Sequence, residues 1–86
     1  MNIYVGNLSY EVNENDLTEI FKSYGTVSSA RIITDKYSGR SKGFGFITME
    51  NHEEGNQAIK ELNGAVYEHR DMVVNEAKPR KESYNR

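Results

Sequence analysis

The 86-residue sequence contains no cysteine, no tryptophan and a single proline. Without cysteine there is no disulfide framework and no thiolate metal site. Two histidines, His52 and His69, are too few to hold zinc without carboxylates. Neither a metal nor a cofactor is therefore implied. Long hydrophobic runs are missing as well. The run Ile3-Tyr4-Val5 is far shorter than the roughly 7 to 15 apolar residues of a signal peptide or the roughly 20 of a membrane span. The expected localisation is cytoplasmic, with no membrane partner, and the sequon-like Asn7-Leu8-Ser9 carries no weight without a secretory signal. Positive charge is also short: 11 Lys and Arg stand against 13 Asp and Glu, for a net charge of −2 and a pI near 5.6. Taken as a single number, that balance argues against a nucleic-acid partner. The length fits one domain, and a chain of this size buries only about 60 to 65% of its unfolded surface, so a deep enclosed active site is not expected.

The residues that are present fall into six segments. Ile3-Tyr4-Val5 reads as a strand ended by a turn at Gly6-Asn7. Asn13 is an N-cap with Asp16 three residues on, and Val12 can staple onto Leu17. Leu17, Ile20, Phe21 and Tyr24 follow at the spacing of an amphipathic helix, with Gly25 expected at C′. Val27 to Thr34 is a second strand, and Asp35 to Ser41 a loop. Gly43 to Met49 alternates small or aliphatic residues with aromatic or polar ones and is a third strand. A second helix opens at Asn51 with Glu54 at N3, carries Ala58, Ile59 and Leu62, and stops at Asn63-Gly64. Gly55 inside it suggests a close backbone approach, because glycine there costs roughly 1 kcal/mol relative to alanine. Met72-Val73-Val74 is the last strand, followed by a polar tail.

The order strand, helix, strand, strand, helix, strand is the split βαβ arrangement. This predicts an α+β, ferredoxin-like βαββαβ fold with a four-stranded antiparallel sheet. Right-handed crossovers put both helices on one face, leaving the other bare. Ile3, Val5 and Ile47 are the natural partners of the helices, so Tyr4, Phe44 and Phe46 are left on the uncovered face with Lys42 and Arg40 nearby. Any one strand aromatic is usually core. Three on a face that helices cannot reach suit the stacking of single-stranded bases, with cations for the phosphates.

At these residues the chain resembles the RNA recognition motif family over about residues 2 to 80. The family octapeptide, K/R-G-F/Y-G/A-F-V-x-F/Y, stands here as Lys42-Gly43-Phe44-Gly45-Phe46-Ile47-Thr48-Met49. Its six-residue signature is matched by Ile3-Tyr4-Val5-Gly6-Asn7-Leu8. The chain is similar to short stand-alone bacterial and cyanobacterial members, and lacks the glycine-rich tail of the plant type. The resemblance implies that Tyr4 and Phe44 each stack on a base, that Phe46 packs between two sugars or against a base, and that Lys42 pairs with a phosphate. It adds hydrogen bonds and base-edge contacts from Arg31 and, beyond the last strand, from Asn75 to Arg80, Lys78 among them. It also implies a domain over residues 1–78 with a tail over 79–86. Met49, Gly55 and His69 depart from the family pattern, but none belongs to the presumed RNA face.

The expected partner is single-stranded RNA, with single-stranded DNA weaker, bound by a monomer. The alternative is a protein-binding member of the family that takes a peptide on its helical side; Arg70-Asp71-Met72 is a partial echo of the Arg-x-Phe element of that class. An enzyme is not expected and no catalytic residue is assigned: Gly43-Phe44-Gly45 lies on a strand, and neither histidine has a nucleophile at a recognisable spacing. The net charge divides unevenly along the chain. Residues 31–42 carry +3 and residues 78–86 carry +3, while residues 11–24 and 50–61 carry −3 each. A cationic rim beside the aromatic face and an acidic helical back are therefore expected, so the low pI does not exclude RNA.

Overall fold

In the computed structural model, which describes residues 1–77, the chain runs β1 (Asn2–Gly6), α1 (Glu14–Lys22), β2 (Val27–Thr34), β3 (Ser41–Met49), α2 (His52–Leu62), β4 (Val66–Tyr67), β5 (Arg70–Asp71) and β6 (Val73–Glu76). Strands β2, β3, β1 and β6 form one sheet in that order, every neighbouring pair antiparallel. This is the expected βαββαβ architecture with one addition. Strands β4 and β5 pair separately as a small hairpin between α2 and β6.

Local chemistry defines the helix ends. The Asn13 side chain accepts the Asp16 N–H at 2.9 Å while the Asp16 carboxylate accepts the Asn13 N–H at 3.1 Å, a reciprocal capping box. Asn51 caps α2 with one half of that arrangement, its side chain accepting the Glu54 N–H at 2.9 Å. Helix α2 stops at Asn63, where Gly64 turns into the left-handed region at φ +88°. The end of α1 differs from the expectation. Ser23 is its C-cap with right-handed φ, and Gly25 does not have positive φ. Gly25 instead makes room for the Glu54 side chain of α2, which any Cβ there would strike.

Alternation in the strands supplies the core. Ile3 and Val5 of β1, Ile47 and Met49 of β3 and Val74 of β6 have no exposed surface, and they pack with Leu17 and Phe21 of α1 and Ala58 of α2. Fully burying each large apolar side chain contributes roughly 1.5 to 3 kcal/mol. Val12 joins this cluster with Leu17, as the staple requires. Gly55 is buried beneath the Met1 side chain and close to Ile3, the close approach its sequence position suggested.

Two strand boundaries depart from the sequence reading. Gly6 belongs to β1, and only Asn7, at φ +56°, makes the turn. At the other edge Met72 is outside the last strand: its N–H donates to the Ala65 carbonyl at 2.8 Å and its carbonyl accepts the Gly64 N–H at 2.7 Å. The ladder to β1 begins instead at Val73 and continues through the polar Asn75 and Glu76. An apolar run marks the buried part of an edge strand and misses its polar continuation, whose backbone still pairs.

Candidate nucleic-acid interface

One row of side chains crosses the uncovered face of all four strands. Directly opposed residues of antiparallel strands share a face, and the register sets Arg31 opposite Phe46, Phe46 opposite Tyr4, and Tyr4 opposite Asn75. The row therefore reads Arg31, Phe46, Tyr4, Asn75 across the sheet. Asn75 lies inside β6 and not beyond the last strand as the sequence suggested. Phe44 stands two residues from Phe46 on the same face of β3. Beyond it Gly43, at φ +85°, and a register shift against β2 interrupt the alternation, and Lys42 is exposed in a groove it shares with Phe44.

Tyr4, Phe44 and Phe46 form a triangle of rings, all half-buried. Their centroids are 5.9 Å apart for Tyr4 and Phe44, 5.8 Å for Tyr4 and Phe46, and 6.2 Å for Phe44 and Phe46. Phe46 is edge-on to both neighbours, at 64° and 88°, whereas Tyr4 and Phe44 are tilted by only 34°. Such separations and angles are those of mutually attractive aromatic pairs. The Tyr4 ring extends along its own strand over Gly6, whose missing side chain leaves the space. Toward the other end of the face, the Thr48 hydroxyl donates to Asn2 Oδ1 at 2.9 Å.

The loop from β2 to β3 carries Arg40 and is organised by Asp35. The Asp35 carboxylate accepts the N–H groups of Tyr37 at 2.7 Å and Ser38 at 3.1 Å, and its carbonyl accepts the Gly39 N–H at 2.7 Å. The Ser38 and Tyr37 N–H donors, together with the Lys42 charge, hold the carboxyl below the ordinary carboxylate range. Asp35 therefore stays charged and shapes the loop that holds Arg40 exposed at the sheet end.

Of the residues expected at the face, Tyr4, Phe44, Phe46, Arg31 and Asn75 come together on it, and Lys42 and Arg40 lie at its end, lining one groove with Phe44. Lys78, Arg80 and the tail lie outside the described residues. Three further participants do not stand out in the sequence. Gly6 reads there as a turn residue. The others, Asn7 and Tyr10, tie the β1–α1 loop to the β4–β5 hairpin. Asn7 Nδ2 donates to the Asp71 carbonyl at 2.8 Å, Arg70 Nη1 donates to Asn7 Oδ1 at 3.1 Å, and the Arg70 guanidinium stands 6.0 Å from the Tyr10 ring centroid. Arg70, part of the Arg-x-Phe echo, is thus turned toward Asn7 and Tyr10. The turn at Asn7 is readable from an asparagine after a strand, whereas its bonds to Asp71 and Arg70, more than 60 residues away, have no sequence signal.

Comparison with known proteins gives concordant results. The family model described as "RNA recognition motif" matches residues 3–73. The chain is 51% identical over 80 residues to the protein RbpA of Synechocystis sp., an alignment covering 93% of this chain and 79% of RbpA. Among solved structures it superimposes on the RNA binding protein PG1 with a TM-score of 0.91 at 51% identity, over 95% of this chain and 99% of that one. It also matches a Sxl-lethal protein/RNA complex with a TM-score of 0.88 at 29% identity, over 95% of this chain and 49% of that one.

Proposed function

The chain belongs to the RNA recognition motif family, and from that premise we propose that it binds about two to four nucleotides of single-stranded RNA across its uncovered sheet face. The observation that carries this reading is the unbroken row Arg31, Phe46, Tyr4, Asn75 with Phe44 and Lys42 beside it. Tyr4, lying along the strand, takes one base, and Phe44 and Phe46 supply ring surface for the neighbouring nucleotide. Asn75 and Arg31, at the two ends of the row, reach base edges, and Lys42 and Arg40 meet phosphates.

Family membership speaks for a binding protein, not a catalyst. The chain acts as a monomer in the cytoplasm, in post-transcriptional regulation or RNA chaperoning. Single-stranded DNA offers the same bases and phosphates without the 2′-hydroxyl and binds more weakly. Stacking contributes roughly 1 to 3 kcal/mol per base, so one domain alone binds at about the micromolar level, and tight binding needs tandem sites.

Titration of the wild type, Tyr4→Ala and Phe44→Ala with a pool of short single-stranded RNAs tests this. Each substitution is expected to weaken binding by roughly 5- to 100-fold while the fold persists. Unchanged affinity would move the binding site off the sheet.

A further inference from the structure

We propose that one further nucleotide, beyond those on the sheet, binds in the groove between the β1–α1 and β2–β3 loops, its base stacked on Tyr10 and its phosphate between Arg40 and Lys42. This rests on the sheet reading and extends it past the edge of the ring triangle.

The groove, of about 530 Å³, is lined among others by Tyr10, Phe44, Lys42, Arg40 and Asp35. That volume is within the range of small-ligand sites, roughly 300 to 1,000 Å³. Phe44 belongs both to this groove and to the triangle with Tyr4 and Phe46, so a strand of RNA crossing the sheet enters the groove without a break.

Tyr10 is 68% exposed, a large aromatic left uncovered by the fold, yet it is held in place. Gly43 adopts φ +85°, and a Cβ built there would come within 3.1 Å of Tyr10 Cε1, so the ring lies against the β3 backbone. Arg70 stands over the same ring at 6.0 Å and is itself fixed by its hydrogen bond to Asn7. A ring already ordered loses little freedom on stacking with a base, and the nearby guanidinium adds a cation–π contribution. The charge of the groove suits a phosphate. Arg40 and Lys42 are opposed only by Asp35 among the ionisable side chains that line it, and the Asp35 carboxylate is occupied by the Tyr37 and Ser38 N–H groups. The net local charge is +1.

The test compares random-sequence single-stranded RNAs of two and eight nucleotides, titrated against the wild type, Tyr10→Ala, Tyr10→Phe and Tyr4→Ala. The longer RNA reaches the groove, and the shorter fits within the about two to four nucleotides of the sheet. Tyr10→Ala is expected to weaken the eight-nucleotide RNA by roughly 5- to 100-fold and to leave the two-nucleotide RNA within about twofold of wild type. Tyr10→Phe is expected to keep wild-type affinity for both, because the ring is what stacks. Tyr4→Ala is expected to weaken both. If Tyr10→Ala binds the longer RNA like the wild type while Tyr4→Ala weakens both, the groove proposal is overturned and the sheet reading stands. If Tyr4→Ala leaves both unchanged, the sheet reading fails and takes the groove proposal with it.

Discussion

The ring of Tyr4 lies over Gly6, two residues further along the same strand and on the same face. Gly6 does not have positive φ, so its backbone would accept an L side chain, and what excludes one is the Tyr4 ring itself. Gly6→Ala should lift the ring from the strand. Binding of a four-nucleotide single-stranded RNA should weaken by about tenfold, within the roughly 1 to 3 kcal/mol of one base stack. The fold should persist, since alanine is favoured over glycine by roughly 0.5 to 1 kcal/mol in a strand interior. Wild-type affinity with an unmoved Tyr4 ring resonance would show that Gly6 has no part in presenting Tyr4.

The second prediction concerns salt. A site that meets about two to four phosphates should lose log affinity with log salt at a slope of about −1.5 to −3. Lys42 and Arg40 are the cations beside the rings, so replacing both with alanine should flatten the slope by about 0.7 for each phosphate left without its cation. Titrations from about 50 to 500 mM KCl measure it, and a salt-independent affinity would count against phosphate binding altogether.

Much of this surface was legible in the sequence because it depends on short-range rules. The period-two alternation of Lys42 to Met49 separated Phe44 and Phe46 from Ile47 and Met49, and the structure keeps that separation. Both helix starts were readable from Asn13 and Asn51, whose side chains accept N–H groups three residues on. Long-range relations were not readable. That Asn75 stands beside Tyr4 depends on the register between β6 and β1, which one strand alone does not specify. Gly25 followed the rule for a helix C-terminus, but Glu54, 29 residues away, decides why it is glycine. The β4–β5 hairpin escaped because its two-residue strands have no period to detect, and its turn residues, Glu68 and His69, are not ones that favour such a turn.

The Asp35 loop should respond to acid. Its carboxyl is held below the ordinary value of 3.8, first by the Ser38 N–H, then by the Tyr37 N–H, with the Lys42 charge adding to them. A depressed folded value means that the charged carboxylate's share of the loop's order is complete above pH 3.8 and is lost as the pH falls through the lower folded value. The Tyr37 and Ser38 amide resonances should therefore move together on titration below that point and stay still at neutral pH. Asp35→Asn should remove this titration while preserving part of the turn, because an amide oxygen still accepts hydrogen bonds. A midpoint at or above the ordinary carboxyl value would refute the assignment.

The last prediction comes from the hairpin. Glu68 and His69, the two residues between β4 and β5, have φ of +54° and +68°. Positive φ at both central positions is the geometry of a type I′ turn, which asparagine followed by glycine adopts most readily. Left-handed backbone costs roughly 1 to 2 kcal/mol for a residue with an ordinary side chain, against the roughly 0.5 to 1 kcal/mol by which a new glycine loosens the unfolded chain. The strain relieved at two positions exceeds that loss. Glu68→Asn combined with His69→Gly should stabilise the fold by about 1 to 2 kcal/mol. At this size each kcal/mol raises the thermal midpoint by roughly 4 to 8 °C. His69→Gly alone should account for at least half of the gain, since asparagine at 68 tolerates the left-handed region without being free of its cost. Calorimetry of the two variants checks this. A midpoint at or below that of the wild type would mean that the pairing of Val66 with Asp71 and Tyr67 with Arg70 does not impose those backbone angles in solution.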